Sequence, residues 1–125
     1  DSNVQKRARN FEKFLSILDS KVFRVDLKIE GNSNYAFTLI LVEPNFELRD
    51  RLEKLLTNSG IEFRRGLSGG GNQLRQPYLR NMPGVPKPEE MVEAEHIHNF
   101  AWYIGNYPDL DEEKIDWLGE LLKSL

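Results

Sequence analysis

Apolar residues recur with two different periods along the chain, and the change of period marks the predicted elements. Near the N-terminus they stand three and four positions apart, which is the spacing of one face of an α-helix. The members of this stripe are Val4, Ala8, Phe11, Leu15 and Leu18. Over residues 23–29 apolar and polar residues alternate instead. This alternation predicts a half-buried strand.

The same patterns predict the remaining helices and strands. Residues 35–42, YAFTLILV, form a short β-branched and aromatic run that predicts a central strand. Asn45 is placed to cap the next helix, and Gly60 supplies the left-handed position that closes it. The other predicted elements are strands at 61–65 and 100–104, a helix at 89–98, and a last helix capped by Asp111.

This order of elements predicts the fold class. Helices segregated against a small, mainly antiparallel sheet form a two-layer α+β domain. A chain of 125 residues is long enough for one such domain, so we expect a single domain over residues 1–125. The chain begins at Asp1, without Met, in the middle of a charged helix. We therefore expect a piece of a larger protein.

The charge and composition of the chain limit the kinds of partner that we expect it to bind. The net charge of −3 argues against non-specific nucleic-acid binding, which requires a basic surface. No apolar run approaches the roughly 20 residues of a membrane span, so we expect no membrane partner. The absence of Cys excludes disulfides and thiolate metal sites and is typical of cytosolic proteins. We expect a cytoplasmic protein.

The main candidate site is the glycine-rich stretch SGGGNQLRQPYLR at residues 68–80, which holds three of the nine Gly. Consecutive glycines allow backbone N–H groups to turn inward and bind an anion. Four arginines lie around this loop: Arg64, Arg65, Arg75 and Arg80. Because guanidinium groups pair with phosphate, a diphosphate or sugar-phosphate ligand is one interpretation. A surface loop with solvated arginines is the other.

Other candidate chemistry is weaker. His96 and His98 are two positions apart, so on a helix they point to different sides and do not form a metal site together. Ser68 has no neighbouring base in the sequence. The acidic residues 109–113 are typical of the first turn of a helix. The residues alone therefore predict neither a metal site nor a self-contained catalytic set.

Three segments in order carry a resemblance to a known family. They are GIEFRRGLSGGGNQLRQPYLR at 60–80, EHIHNFAWYIGNYPDLDEEKIDWL at 95–118, and the opening helix followed by GNSNYAFTLIL at 31–41. Together they resemble the C-terminal small domain of the DegT/DnrJ/EryC1/StrS family of sugar aminotransferases and dehydratases. The resemblance covers essentially the whole chain.

This resemblance implies a fold and an activity. It implies the small domain of the fold-type I aspartate aminotransferase fold, in a homodimer whose active site lies between a large and a small domain. The segment GNQLRQPYL looks most like the 3-dehydratase branch, which uses pyridoxamine phosphate on nucleotide-linked 4-keto-6-deoxyhexoses for surface polysaccharides. The alternative within the family is a pyridoxal phosphate-dependent sugar aminotransferase. The resemblance places most cofactor contacts, and the deciding Lys or His, in the absent large domain.

The resemblance also implies substrate-binding residues. Its G-N-x-x-R-Q-P motif places Asn72, Arg75 and Gln76 at the cleft, with Gly70 and Gly71 allowing close approach of the backbone. We expect Arg75 to contact either the nucleotide sugar or a structural carboxylate.

Two further residues match family positions, and a different class of function stays open. His98 and Asn106 serve either the site or the scaffold. A stand-alone ferredoxin-like module that binds an anionic metabolite is the alternative from another class. An RNA-binding function comes third, since the net charge opposes it and no basic sheet face with stacking aromatics is evident.

Overall fold

The computed structural model describes residues 2–65 and 71–125. These residues form five helices: α1 (Ser2–Ile17), α2 (Phe46–Asn58), α3 (Pro77–Arg80), α4 (Val92–Phe100) and α5 (Glu112–Lys123). They also form two strands, β1 (Ala36–Ile40) and β2 (Ala101–Gly105), and two 3-10 turns, Gln73–Arg75 and Pro88–Glu90. The predicted α+β class is confirmed. Among the described helices, none has the length and apolar character needed to span a membrane.

The two strands pair in an antiparallel sheet although some 60 residues separate them in the chain. Phe37 lies opposite Ile104, and Leu39 lies opposite Trp102. All four side chains are buried. Because directly opposite residues share one face of a sheet, these pairs form a continuous apolar surface.

Helices α1 and α5 cover this apolar surface. The Phe14 ring of α1 stacks on Phe37 with centroids 4.6 Å apart. Ile115 and Leu118 of α5 are buried in the same cluster. The two helices approach closely at Gly119, where an added Cβ would overlap the side chain of Ile17.

Two of the four predicted strands are wrong. Residues 23–29 contribute one isolated bridge, between Phe23 and Leu41, and residues 61–65 contribute one, between Arg64 and Tyr103. Alternate apolar side chains in both segments still pack against the core. The alternation in the sequence therefore correctly predicted which side chains pack against the core. It did not predict whether the backbone forms a strand.

The helix ends agree with the sequence in part. The side chain of Asn45 accepts a hydrogen bond from the backbone N–H of Leu48 at 2.9 Å, and Gly60 has φ +72°, so both predictions are confirmed. Asp111 occupies the N-cap position, but its side chain makes no capping hydrogen bond with the described residues. That predicted cap is wrong. The predicted helix at 89–98 begins later, at Val92, after the turn Pro88–Glu90.

A buried amide connects three parts of the fold. Asn106 follows β2 directly and is only 1% exposed. Its Nδ2 donates to the carbonyl oxygens of Arg7, at 2.8 Å, and Asn34, at 2.9 Å. Its Oδ1 accepts from Asn10 of α1 at 3.2 Å. The side chain thus ties the end of the sheet to α1 and to the turn before β1.

We expect Asn106→Ala to lower the free energy of unfolding by about 2–3 kcal/mol, because it removes three hydrogen bonds from a buried position. Urea unfolding followed by circular dichroism measures this change. Asn45→Ala, which removes an exposed helix cap, is the matched control, with an expected loss of about 1 kcal/mol. A loss at Asn106 no larger than at Asn45 would contradict the structural role.

Candidate functional site

Within the glycine-rich stretch, local backbone and side-chain contacts determine the conformation of residues 71–75. Gly70 lies outside the described residues, while Gly71 has φ +85°, a conformation that favours glycine. The Oδ1 of Asn72 accepts from the backbone N–H of Leu74 at 3.1 Å. Such an Asn side chain begins a tight turn, and the 3-10 turn Gln73–Arg75 follows.

Asn72 is directed into the protein. Its side chain is buried, with 3% of the residue exposed. Its Nδ2 donates to Glu95 Oε2 at 2.8 Å and to the carbonyl oxygen of Pro88 at 3.0 Å. Its backbone N–H donates to His98 Nδ1 at 3.1 Å. Both polar atoms of the Asn72 side chain are therefore bonded within the chain.

Arg75 pairs with a carboxylate of helix α4. Its Nε donates to Glu95 Oε1 at 2.7 Å and to Oε2 at 3.0 Å, and its Nη2 also contacts Oε1. Glu89 lies at 3.5 Å from the same Nη2. Hydrogen bonds from Arg75, and then from Asn72 and Asn99, lower the pKa of Glu95 despite its partial burial. The bond to Glu95 in turn raises the pKa of Arg75.

Glu95 joins these contacts to α4. Asn99, one turn further along the helix, donates its Nδ2 to Glu95 Oε1 and to the Glu95 carbonyl oxygen, both at 3.0 Å. We call the five residues Asn72, Arg75, Glu95, His98 and Asn99 the Glu95 network. Sequence reasoning missed Glu95 and Asn99. The available signal was the position of His98 and Asn99, three and four residues after Glu95, which places both beside it on one helix face.

His98 is a hydrogen-bond acceptor in this network. Since Nδ1 accepts the N–H of Asn72, the neutral ring carries its proton on Nε2. Burial lowers the pKa of His98, the charges of Arg75 and Arg65 add to this effect, and Glu95 opposes it. The structure thus brings three of the predicted site residues together. Asn72 bonds His98 directly, and Asn72 and Arg75 both bond Glu95.

Two other arginines around the loop, Arg65 and Arg80, also make hydrogen bonds within the chain. Arg65 Nε donates to Glu53 Oε1 at 2.6 Å, and Arg80 Nη2 donates to the carbonyl oxygen of Arg75 at 3.0 Å. Gln76, at the start of α3, is half-buried, and its side chain makes no hydrogen bond with the described residues. An anion at Arg75 would compete with Glu95 for the guanidinium group.

Two of the residues considered from the sequence lie away from this network. Asn106 stands at the opposite end of β2 from α4. His96 Nε2 lies 2.7 Å from the Leu41 carbonyl oxygen, and its ring packs on Phe100. Over residues 2–65 and 71–125, no group of three His, Asp or Glu is arranged to hold a metal ion.

A cavity of about 420 Å³ opens beside Gly71. Ile97 of α4 and the rings of Tyr35 and Tyr103 line it, together with Lys28. The two tyrosine rings meet edge to face with centroids 6.1 Å apart. This volume is within the range of small-molecule sites, and the lining combines aromatic and polar groups as such sites do.

We expect the stability of the chain to fall in mild acid because of His98. The pKa of His98 is lowered by folding, so below about pH 6.5 the unfolded chain binds a proton that the folded chain does not. Unfolding is then favoured as the pH falls. Urea unfolding at about pH 7.5 and about pH 5.5 measures the loss.

The matched variant is His98→Asn, which offers an amide oxygen near the position of Nδ1 and does not titrate. We expect its free energy of unfolding to change less between the two pH values than that of the parent chain. Equal changes in both chains would show that His98 does not couple folding to pH.

The comparisons with known proteins gave matches among solved structures. Neither a protein-family model nor a curated protein matches the sequence. The Escherichia coli GDP-4-keto-6-deoxy-D-mannose-3-dehydratase with bound hydrated PLP matches with a TM-score of 0.72 and 23% identity, over 97% of this chain and 31% of that one. A GDP-4-keto-6-deoxymannose-3-dehydratase with a trapped PLP-glutamate geminal diamine has a TM-score of 0.77 and 25% identity, over 95% and 31%.

A proposed sugar aminotransferase from Streptococcus pneumoniae, in its PMP form, matches with a TM-score of 0.77 and 15% identity. The match covers 98% of this chain and 30% of that one, so this chain spans about a third of the length of these neighbours. The resemblance predicted from the ordered motifs is confirmed at the level of structure. The chain has the fold of one part of the PLP-dependent sugar dehydratases and aminotransferases of the DegT/DnrJ type.

Proposed function

We propose that this chain is the C-terminal small domain of a nucleotide-sugar enzyme that depends on pyridoxamine or pyridoxal phosphate. The observation that carries the proposal is the match of 95% of the chain to a GDP-4-keto-6-deoxymannose-3-dehydratase. We propose the same reaction class, 3-dehydration of a nucleotide-linked 4-keto-6-deoxyhexose. By its resemblance, the full-length enzyme would be a cytoplasmic homodimer acting in the biosynthesis of surface polysaccharide such as lipopolysaccharide.

In this proposal the glycine-rich loop faces the substrate. The five residues assigned to it are Gly70, Gly71, Asn72, Arg75 and Gln76. Support comes from the cavity beside Gly71 and from the side-chain amide of Gln76, which makes no hydrogen bond with the described residues. Asn72 and Arg75 are bonded within the Glu95 network. We therefore assign direct contacts to Gln76 and to the backbone at Gly71, and support of the loop to Asn72 and Arg75.

We propose that the described residues do not hold the cofactor by themselves. The polar side-chain atoms of Asn72 and the Glu95 carboxylate bond one another or nearby groups, and the Glu95 network contains no Lys. When bound, the cofactor supplies an electron sink for the bond cleavage at the sugar. We propose that its ligands lie mainly in the large domain, and we derive no step through it from this chain.

The second candidate is a sugar aminotransferase of the same family, which the match to the Streptococcus pneumoniae protein supports at lower identity. The two activities differ in how the cofactor is held, by a Lys or beside a His, in the part that this chain does not contain. A stand-alone module for an anionic metabolite would need free guanidinium groups. Arg65 and Arg75 already pair with Glu53 and Glu95.

The first test uses the full-length protein loaded with pyridoxal phosphate and treated with borohydride. For a 3-dehydratase we expect bound cofactor that borohydride does not fix to the protein and that an amino donor converts to the pyridoxamine form. Covalent fixation, seen as an added cofactor mass, would identify a Lys enzyme and hence the aminotransferase. Absence of any bound cofactor would contradict both.

The second test concerns the 125-residue chain alone. We expect it to fold, because its apolar core is formed within the chain, but to bind no stoichiometric pyridoxal phosphate and to turn over no nucleotide sugar. Absorbance titration with the cofactor measures the binding, and the full-length protein is the positive control. Stoichiometric binding by the short chain would show that its own residues form the cofactor site.

A further inference from the structure

Residues 72–80 of the glycine-rich stretch have few apolar contacts with the core. Neither the turn Gln73–Arg75 nor helix α3 contributes a buried residue, although both are described throughout. Asn72, which precedes them, is buried, and it is polar. Because burial of apolar surface is the main force that fixes a segment, residues 72–80 depend unusually strongly on hydrogen bonds for their position.

Those hydrogen bonds converge on Glu95. Its Oε2 accepts from Asn72, at the start of the segment, and both carboxylate oxygens accept from Arg75, at the end of the 3-10 turn. One side chain on a packed helix therefore holds the segment at two points three residues apart. Charge-assisted bonds of this kind are about twice as strong as neutral ones.

Glu95 is itself held in place. Asn99 donates to its carboxylate from the next turn of α4, and α4 leads without a break into β2. The Glu95 side chain is only 18% exposed, so water competes weakly for its oxygens. The other carboxylate near Arg75, that of Glu89, is 68% exposed and lies at 3.5 Å, which makes it the weaker tie.

We propose that Glu95 is a positioning residue for residues 71–80, the described part of the glycine-rich stretch. It fixes Asn72 and Arg75 against α4, and through them it sets where Gly71 and Gln76 present their groups to a ligand. The effect on substrate rests on the proposed function, since it assumes that the loop faces the nucleotide sugar. The effect on the segment rests on the contacts of Glu95 alone.

The first experiment measures hydrogen exchange in the 125-residue chain. In Glu95→Ala we expect exchange at the backbone N–H groups of Asn72, Leu74 and Arg75 to accelerate at least about tenfold, since local opening of the segment becomes easier. The amides of the β1–β2 ladder should keep their rates. Unchanged rates in residues 72–75 would overturn the proposal.

Two further variants test whether the faster exchange is specific to the loss of the Glu95 contacts. Glu93→Ala is the matched control, because Glu93 lies on the same helix but pairs with Arg24, outside the segment. We expect no acceleration there. If Glu95→Ala also loosens the β1–β2 ladder, Glu95→Gln replaces it. The Gln side chain keeps the shape but turns an N–H₂ group toward Asn72 or Arg75, both donors, so local acceleration is still expected.

The second experiment measures steady-state kinetics of the full-length enzyme with a nucleotide-linked 4-keto-6-deoxyhexose. We expect Glu95→Gln to raise KM about tenfold while kcat changes less than about threefold, because a misplaced loop weakens binding more than chemistry. A merely structural role would lower the active fraction, and hence kcat, at unchanged KM. That result, or unchanged constants, would overturn the role in substrate binding.

The two experiments separate the two proposals. If the parent enzyme neither binds nor converts a nucleotide sugar, the proposed function is wrong and the role of Glu95 toward substrate is wrong with it. If the parent enzyme is active and hydrogen exchange in residues 72–75 is as slow in Glu95→Ala as in the parent chain, the proposed function stands and the positioning role is wrong.

Discussion

The antiparallel pairing of β1 with β2 is the constraint on which the rest of the domain depends. It joins two distant parts of the chain, and its last pair sets Ile40 against Ala101, directly after the final residue of α4. Pairing of β2 therefore fixes the end of α4 against the sheet. Because Glu95, His98 and Asn99 lie in the last two turns of that helix, the sheet also fixes the polar groups that hold Asn72 and Arg75.

Two kinds of force act in separate parts of the molecule. Buried aromatic and aliphatic side chains from α1, α2, α5 and both strands form one core. Residues 72–80 are outside that core and are held by hydrogen bonds to α4. Loss of a buried hydrogen-bonding partner lowers the free energy of unfolding by about 1–3 kcal/mol, whereas truncation of a large core side chain lowers it by about 2–5 kcal/mol. Changes in residues 72–80 can therefore alter the geometry of this segment while the domain stays folded.

The arginines near the loop show the limit of reading charge from sequence. Four guanidinium groups close together in an acidic chain indicate an anion site. In the structure Arg75 is paired with Glu95, twenty positions further along, and Arg65 with Glu53, twelve positions back. The sequence gives the number of charged residues. It does not show which of them are paired with an opposite charge that folding brings near.

Patterns in the sequence predicted the helices α1, α2 and α5, the two strands, the Asn45 cap, the Gly60 turn and the resemblance to a sugar-modifying enzyme family. These features depend on local periodicity, turn chemistry and ordered motifs, which the chain carries in its own order. Tertiary structure decided that residues 23–29 and 61–65 pack without forming strands. It also decided that Glu95 and Asn99 join Asn72, Arg75 and His98, while Asn106 ties the scaffold. Both outcomes depend on contacts between residues far apart in the chain, and local pattern does not encode those contacts.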